Sequence, residues 1–597
     1  MIRNKILGYI FGILFSAAMV TGYQLETYDH LALSSISGIL VFIGLSLIIG
    51  TLAPFGWKYL DRIYDKEGGR LSKKDIDSSN TKADTSPVGD DSRQAKSGLK
   101  AKVSGFLAYF DRVSDKKYWF TIWIILIAMQ IPVMLAEFPG FFCYDAQDEL
   151  NQVLTRTFST HHPLVHVLLL GGNIALGHKL TGSWNVGICF HLTMQMLFMT
   201  GVFAYALTFL RKNIAVKCGE GTYNNGIVLY KGKKIYRVLA VLFFGMFPTI
   251  VMYTLCSTKD GLFSTFLLLL VIELMKLLMD TENFFKFKRH IFLLIFSAMM
   301  MSLLRHNGFY AYIVFIPFGV FALRRYYKKV LILFIIPVVL SMVIESGLTA
   351  ALDADSSEHQ EMITVSIMQL ARTWRYTPED FSEEDKEVLL SFLSERALGT
   401  YEIRAADYMK SFFYNAEYDE NSGAYWKLWA KMMVSHPMTY INAWFLTCYP
   451  YWYPFAVINP YRGHQMPHFT YEDSSYFEYE VEPPGERHTL AFGFIDKLYY
   501  KMSLTPFQQK IPVVSLVFSM GFYFWVWMYF AFYTITKRKL IVCLPLMPVF
   551  LTWLTLMLGP VALIRYMLIL WYITPLMPVF FRQLLTIKRE DVNEQRS

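Results

Sequence analysis

Two groups of side chains stand out for chemistry in an otherwise apolar chain. The first is the run Tyr144-Asp145-Ala146-Gln147-Asp148-Glu149, followed by His161-His162-Pro163. The second is a set of isolated polar turns: Lys259-Asp260 in Ser-Thr-Lys-Asp-Gly, Arg305-His306-Asn307-Gly308, and Arg565 in a late Gly-Pro-x-x-x-x-Arg-Tyr. A carboxylate within hydrogen-bond reach of a hydroxyl can act as general base. Arg offers a planar fork to phosphate oxygens, and Lys and His act as point donors. Charges grouped beside apolar segments are costly to bury, which makes them functional candidates. Each has a plainer reading as well. Asp145 and Asp260 suit the start of a helix as caps, His161 and His162 could satisfy backbone groups before Pro163, and Arg305 could snorkel to headgroups.

The elements that must carry these groups are membrane helices. Of 597 residues, 54% are hydrophobic and 17% aromatic, which excludes an ordinary soluble domain. Apolar runs long enough to cross a bilayer recur along the chain. The net charge of +8 comes from Lys and Arg clustered beside those runs, as cytoplasmic loops require, so no nucleic-acid partner is expected. Six cysteines (Cys143, Cys189, Cys218, Cys256, Cys448, Cys543) show no CxxC or metal-ligand spacing, and neither a disulfide nor a zinc site is expected.

The hydropathy pattern divides the chain into five parts. Residues 1–57 form two N-terminal spans, the first an uncleaved anchor behind a short basic start. Residues 58–117 lose nearly all apolar character and read as a disordered cytoplasmic linker, with a short amphipathic helix around Leu99 to Phe110. Residues 118–348 form the transmembrane core, with a first outer loop over 137–165. Residues 349–510 form a soluble, α-rich extracytoplasmic region, and 511–597 hold the last spans and a cytoplasmic tail. Basic loops at Arg211–Arg237, Phe285–His290 and Arg324–Lys329 alternate with the polar turns. That alternation puts an odd number of crossings between the acidic loop and Arg211, so Leu164 to Leu180 should be a re-entrant or juxtamembrane helix. The fold expected is an all-α polytopic membrane protein of about 12 spans plus that partial helix. Asp145, His162, Lys259, Asp260, Arg305 and Arg565 then all lie on the outer side, and both termini on the cytoplasmic side.

The ordered set of features resembles the GT-C superfamily of polytopic membrane glycosyltransferases. An acidic motif in the first outward loop corresponds to Tyr144 to Leu150, and the (Lys/His)-Pro-Pro-Leu-like motif to His161 to Leu169. A late soluble outward region follows. The resemblance implies sugar transfer from a polyprenyl-phosphate-linked donor to an envelope glycan, lipid or protein acceptor at the plasma membrane. It implies a base at Asp145, with Asp148 and Glu149 as rivals, and a donor phosphate near His161 or His162. Lys259, Arg305 and Arg565 join that phosphate site by topology. Tyr144, Gln147, Asp260, His306 and Asn307 complete the expected substrate pocket. Histidine in place of lysine would make phosphate binding pH-sensitive, since its ordinary pKa is about 6.5. No cofactor is required, and a divalent metal stays open because one carboxylate cluster does not decide it.

Two readings compete with the transferase. A transporter or flippase of an anionic or lipid-linked substrate shares the many spans and buried charges, though no internal repeat is evident. A lipid-linked polymerase or ligase would share the outer polyprenyl site. The aromatic run Trp444 to Phe455 reads either as a sugar-stacking platform or as an interfacial aromatic belt.

Overall fold

The computed structural model describes residues 2–77, 113–142, 145–214, 216–217, 227–228, 231–356, 359–458 and 488–586. Helices α1 (Ile2–Tyr28) and α2 (Ile36–Asp77) form an antiparallel hairpin, with Gly8 against Pro54 and Gly12 against Gly50. Helix α2 continues past the boundary expected at residue 57. Its Lys, Arg, Glu and Leu residues propagate a helix already nucleated in the apolar half. The amphipathic helix expected around Leu99 to Phe110 lies outside the described residues.

The core follows as α3 (Asp115–Ala136), α4 (Ala146–Thr155), α5 (Leu164–Thr181), α6 (Trp184–Ile214), α7 (Lys231–Met246), α8 (Pro248–Thr254), α9 (Lys259–Met279), α10 (Thr281–Lys286), α11 (Lys288–Leu304), α12 (His306–Ala322) and α13 (Tyr327–Leu352). Val216–Lys217 and Ile227–Val228 pair as two short antiparallel strands. Helix α9 is the centre of this bundle. Nearly all its residues from Asp260 to Met275 are buried, against α6, α11 and the C-terminal segments.

Among the described residues, eight helices are long and apolar enough to cross a membrane. The protein is therefore multi-pass and α-helical. The larger number expected from hydropathy depends on segments that depart from a straight span. Residues 235–256 bend by 48° between α7 and α8, where Pro248 starts a new helix. Helices α11 and α12 have only 17 residues each, about 25 Å at 1.5 Å per residue. Residues 511–535 break into short pieces before Met520–Thr536. Conversely, α5 is a continuous helix of 18 residues and meets the length and hydropathy of a span, where a partial helix is expected.

Residues 359–448 build a second apolar core from Ile367, Leu370, Phe392, Met409, Tyr425 and Tyr440 on the helices Thr364–Tyr376, Glu383–Phe392, Asp407–Lys410, Asn415–Ser435 and Pro437–Cys448. The aromatic run at Trp444–Phe455 is divided between core and surface, with Phe455 exposed. Tyr449 and Tyr451 are buried in the main core, and Trp444 donates to the Met557 carbonyl at 2.5 Å.

Two close approaches position the site. Gly140 has φ 116°, a conformation that favours glycine, and turns the chain so that Phe141 pairs in parallel with Cys256. Phe141 N–H donates to Leu255 O and Ser257 N–H to Phe141 O, each at 2.9 Å. This stitch holds the acidic loop beside the start of α9. Helices α5 and α6 meet backbone to backbone at Gly177 and Gly187. A Cβ on Gly187 would stand 2.4 Å from Ile174 O. Gly187→Ala is expected to force the hairpin apart at a cost of about 1–3 kcal/mol. The check is a lowered thermal midpoint in detergent, with Gly172→Ala, which meets nothing within 4 Å, leaving the midpoint unchanged.

Candidate functional site

The polar groups converge at the N-terminal end of α9. Thr258 is its N-cap residue, so Lys259 and Asp260 occupy its first turn and point into different neighbours. Lys259 Nζ donates to Asp145 Oδ2 at 2.6 Å, lies 3.2 Å from His162 Nδ1, and is 3.6 Å from Glu149 Oε1. Lysine only donates, so neutral His162 accepts at Nδ1 and carries its proton on Nε2. Asp260 Oδ2 accepts from Thr258 Oγ1 at 2.9 Å, and its other oxygen pairs with Arg305. Arg565 bridges the two halves, with NH1 at 3.7 Å from Asp145 Oδ2 and Nε at 3.4 Å from Asp260 Oδ2. Arg305 also lies over the Tyr566 ring at 4.3 Å and donates from Nε to Asn307 Oδ1 at 3.2 Å.

Local structure explains why these side chains are available. Asp145 occupies the N-cap position of α4 but makes no capping hydrogen bond, because its carboxylate turns to Lys259 instead. Asp260 is one residue inside α9 and likewise serves Arg305 and Arg565. Arg305 sits at the extended break between α11 and α12, and Arg565 in the short turn Ile564–Met567 at the start of a C-terminal span.

Not every expected residue joins. His161 is 42% exposed and reaches Glu361 at 3.9 Å, with its ring edge-to-face with that of His162 at 4.5 Å. His306 is exposed and meets Thr160 O at 3.3 Å. Gln147 is buried, Asp148 is exposed, and Tyr144 lies outside the described residues. Glu149, the expected rival base, is 1% exposed and lies between Lys259 and His166. His166 is the residue that sequence reasoning missed. Its signal was a histidine one turn into an apolar helix, within reach of an acid on the preceding one.

Electrostatics sort the acids. Burial raises the Asp145 carboxyl, but Lys259, Arg565 and His162 outweigh it and hold it well below the usual range. Glu149 is likewise raised by burial yet held low overall by His166 and Lys259. Asp148, though exposed at its surface, is raised by partial desolvation and by nearby Asp145. Burial and the Lys259 charge push His162 down to about 4, so it is neutral at pH 7. This corrects the expected pH sensitivity near 6.5. Asp145, Glu149 and His162 offer donor atoms within 4.8 Å of one another, a set that could hold a metal ion. Lys259 Nζ already stands among all three, so a tethered ammonium supplies the positive charge there.

A family model matches residues 153–597, from within α4 to the C-terminus, and is described as a family of unknown function (DUF6020). The chain belongs to DUF6020. The match contains His162, Lys259, Asp260, Arg305 and Arg565 and begins after Asp145 and Glu149. No curated protein and no solved structure matches this DUF6020 chain.

Two outcomes test the electrostatics. Lys259→Met removes the ammonium that two carboxylates and an imidazole share. The variant is expected to bind Mn²⁺ or Zn²⁺ by isothermal titration, with much weaker binding in the unmodified chain. For His162, the folded pKa of about 4 lies below the ordinary 6.5. The unfolded chain thus binds the extra proton first, and stability falls as pH drops from about 6.5 to 4 and no further. His162→Gln should flatten that part of the melting-temperature profile relative to the unmodified chain.

Proposed function

We propose that this protein transfers a sugar from a polyprenyl-phosphate-linked donor to an acceptor hydroxyl of the cell envelope. The reading places it in the plasma membrane in a GT-C-like arrangement of about 12 crossings, counting the bent and short helices and taking α5 as a re-entrant helix despite its length. Both termini are then cytoplasmic, and the Asp145–Lys259 face opens outward. The observation that carries the reading is the convergence of Lys259, Arg305 and Arg565 with Asp145 and Asp260, drawn from four separate parts of the chain.

The chemistry follows from exchange of ionic partners. A donor phosphate arriving from the bilayer competes with Asp145 for Lys259 and Arg565. As those cations turn to phosphate oxygens, Asp145 loses the charges that hold its pKa low and becomes a stronger base. Its carboxylate then takes the proton of the acceptor hydroxyl. The acceptor oxygen bonds to the anomeric carbon, and the bond from that carbon to the phosphate oxygen breaks. The departing polyprenyl phosphate keeps the electron pair, and Lys259 and Arg565 stabilise its developing charge. Asp260 holds Arg565 and Arg305 in place. Asp145 is favoured over Asp148 because only its carboxylate touches the cations that would bind phosphate.

The test is turnover of labelled polyprenyl-phosphate sugars by the full chain in liposomes. Asp145→Asn is expected to lower kcat by roughly 10²–10⁴-fold with little change in KM. Arg565→Gln is expected to raise KM for the donor. Turnover by Asp145→Asn equal to that of the unmodified chain would remove Asp145 as base. Failure of the unmodified chain to release polyprenyl phosphate from any such donor would remove the transferase reading.

A further inference from the structure

At the other end of α9, 17 residues and therefore about 26 Å from Lys259, the bundle opens into a cavity of about 780 Å³. It is bounded by the start of α3, the end of α6, the end of α9 and the segment from α10 into α11. Its volume is in the range of small-ligand and cofactor sites. Trp119, Phe209, Phe284 and Phe287 make its lining largely apolar, and Lys116, Lys212, Lys276 and Arg289 supply positive charge, against Asp115 and Asp280.

These cations differ in how far they are committed. Lys276 is held inside the wall, donating to Glu273 at 2.9 Å and to Tyr205, with its ammonium 4.2 Å from the Tyr205 ring centre. Glu273 is fully buried and is also met by His290 at 2.9 Å, so its charge is answered within the wall. Lys116, Lys212 and Arg289 are exposed and make no ion pair or side-chain hydrogen bond among the described residues. Arg289 only leans over the Tyr205 ring, at 5.8 Å. An apolar lining beneath a rim of uncommitted cations, at the end of membrane helices, matches an amphiphile with an acidic head.

We propose that this cavity is a second binding site, which takes the phosphate headgroup of an anionic membrane lipid between Lys212 and Arg289 and packs the start of its chains on Trp119 and Phe209. The site does not depend on the transferase reading, because it shares no residue with the Asp145–Lys259 cluster.

Native mass spectrometry of the full chain, purified in detergent and titrated with phosphatidylglycerol, tests it. Retention of the lipid is expected to fall about tenfold or more in Lys212→Glu combined with Arg289→Glu. Lys288→Glu makes the same kind of charge change on the same helix outside the cavity and should leave retention unchanged. The milder Lys212→Gln should give an intermediate loss, so that a folding defect in the double variant does not decide the result. Unaltered retention in Lys212→Gln and the double variant would overturn the proposal. So would displacement of the lipid by millimolar inorganic phosphate, which would assign the cations to a soluble anion.

Discussion

A lysine ammonium enclosed among two carboxylates and an imidazole is the constraint on which the rest of the site depends. The Lys259 side chain is only 12% exposed, and a cation so enclosed is tolerable only with close, hydrogen-bonded partners. Those partners sit at the start of α4 and in the loop before α5, so satisfying one charge ties two pieces of chain to the start of α9. The backbone stitch between Phe141 and residues 255–257 does the coarse alignment, and the ion pairs then set the side chains. Asp260, facing the other way from the same helical turn, recruits Arg305 and Arg565 by the same logic.

The arrangement is nearly balanced in charge. Asp145, Glu149 and Asp260 face Lys259, Arg305 and Arg565, and His162 is neutral at pH 7. A balanced cluster costs less to bury than any of its members alone, and it can give up an ionic partner only in exchange for another. An incoming anion therefore redistributes the pairs and leaves a carboxylate with less compensation. Glu149 cannot be the group so released, because His166 keeps hold of it behind the cluster.

Much of this was legible in the sequence because charge is scarce in so apolar a chain. Asp145, His162, Lys259, Asp260, Arg305 and Arg565 stood out on cost alone, and they meet. What sequence could not supply was direction. His161 and His162 are neighbours, yet one points to Glu361 and the other to Lys259. Glu149 and Asp148 are equally acidic in sequence, but one is buried against His166 and the other is exposed. The shape of the spans was hidden in a related way. Hydropathy averages over a window and sees residues 235–256 as one apolar stretch, whereas Pro248 divides it into two helices of different direction. The aromatic run near Trp444 likewise shows its composition but not that Tyr449 and Tyr451 are turned into the core while Phe455 stays exposed.

The contacts of the N-terminal hairpin reach the second core by polar bonds. Arg404 pairs with Asp29, Arg372 donates to Asp29 O at 2.9 Å, Leu31 N–H donates to Asn442 Oδ1 at 2.9 Å, and Tyr449 donates to Glu26 at 2.6 Å. The turn between α1 and α2 thus works as a bracket that the region 359–448 leans on. A chain trimmed to the family's extent would lose all four of these contacts in one step. The hairpin is scaffolding for the second core as well as a pair of apolar helices.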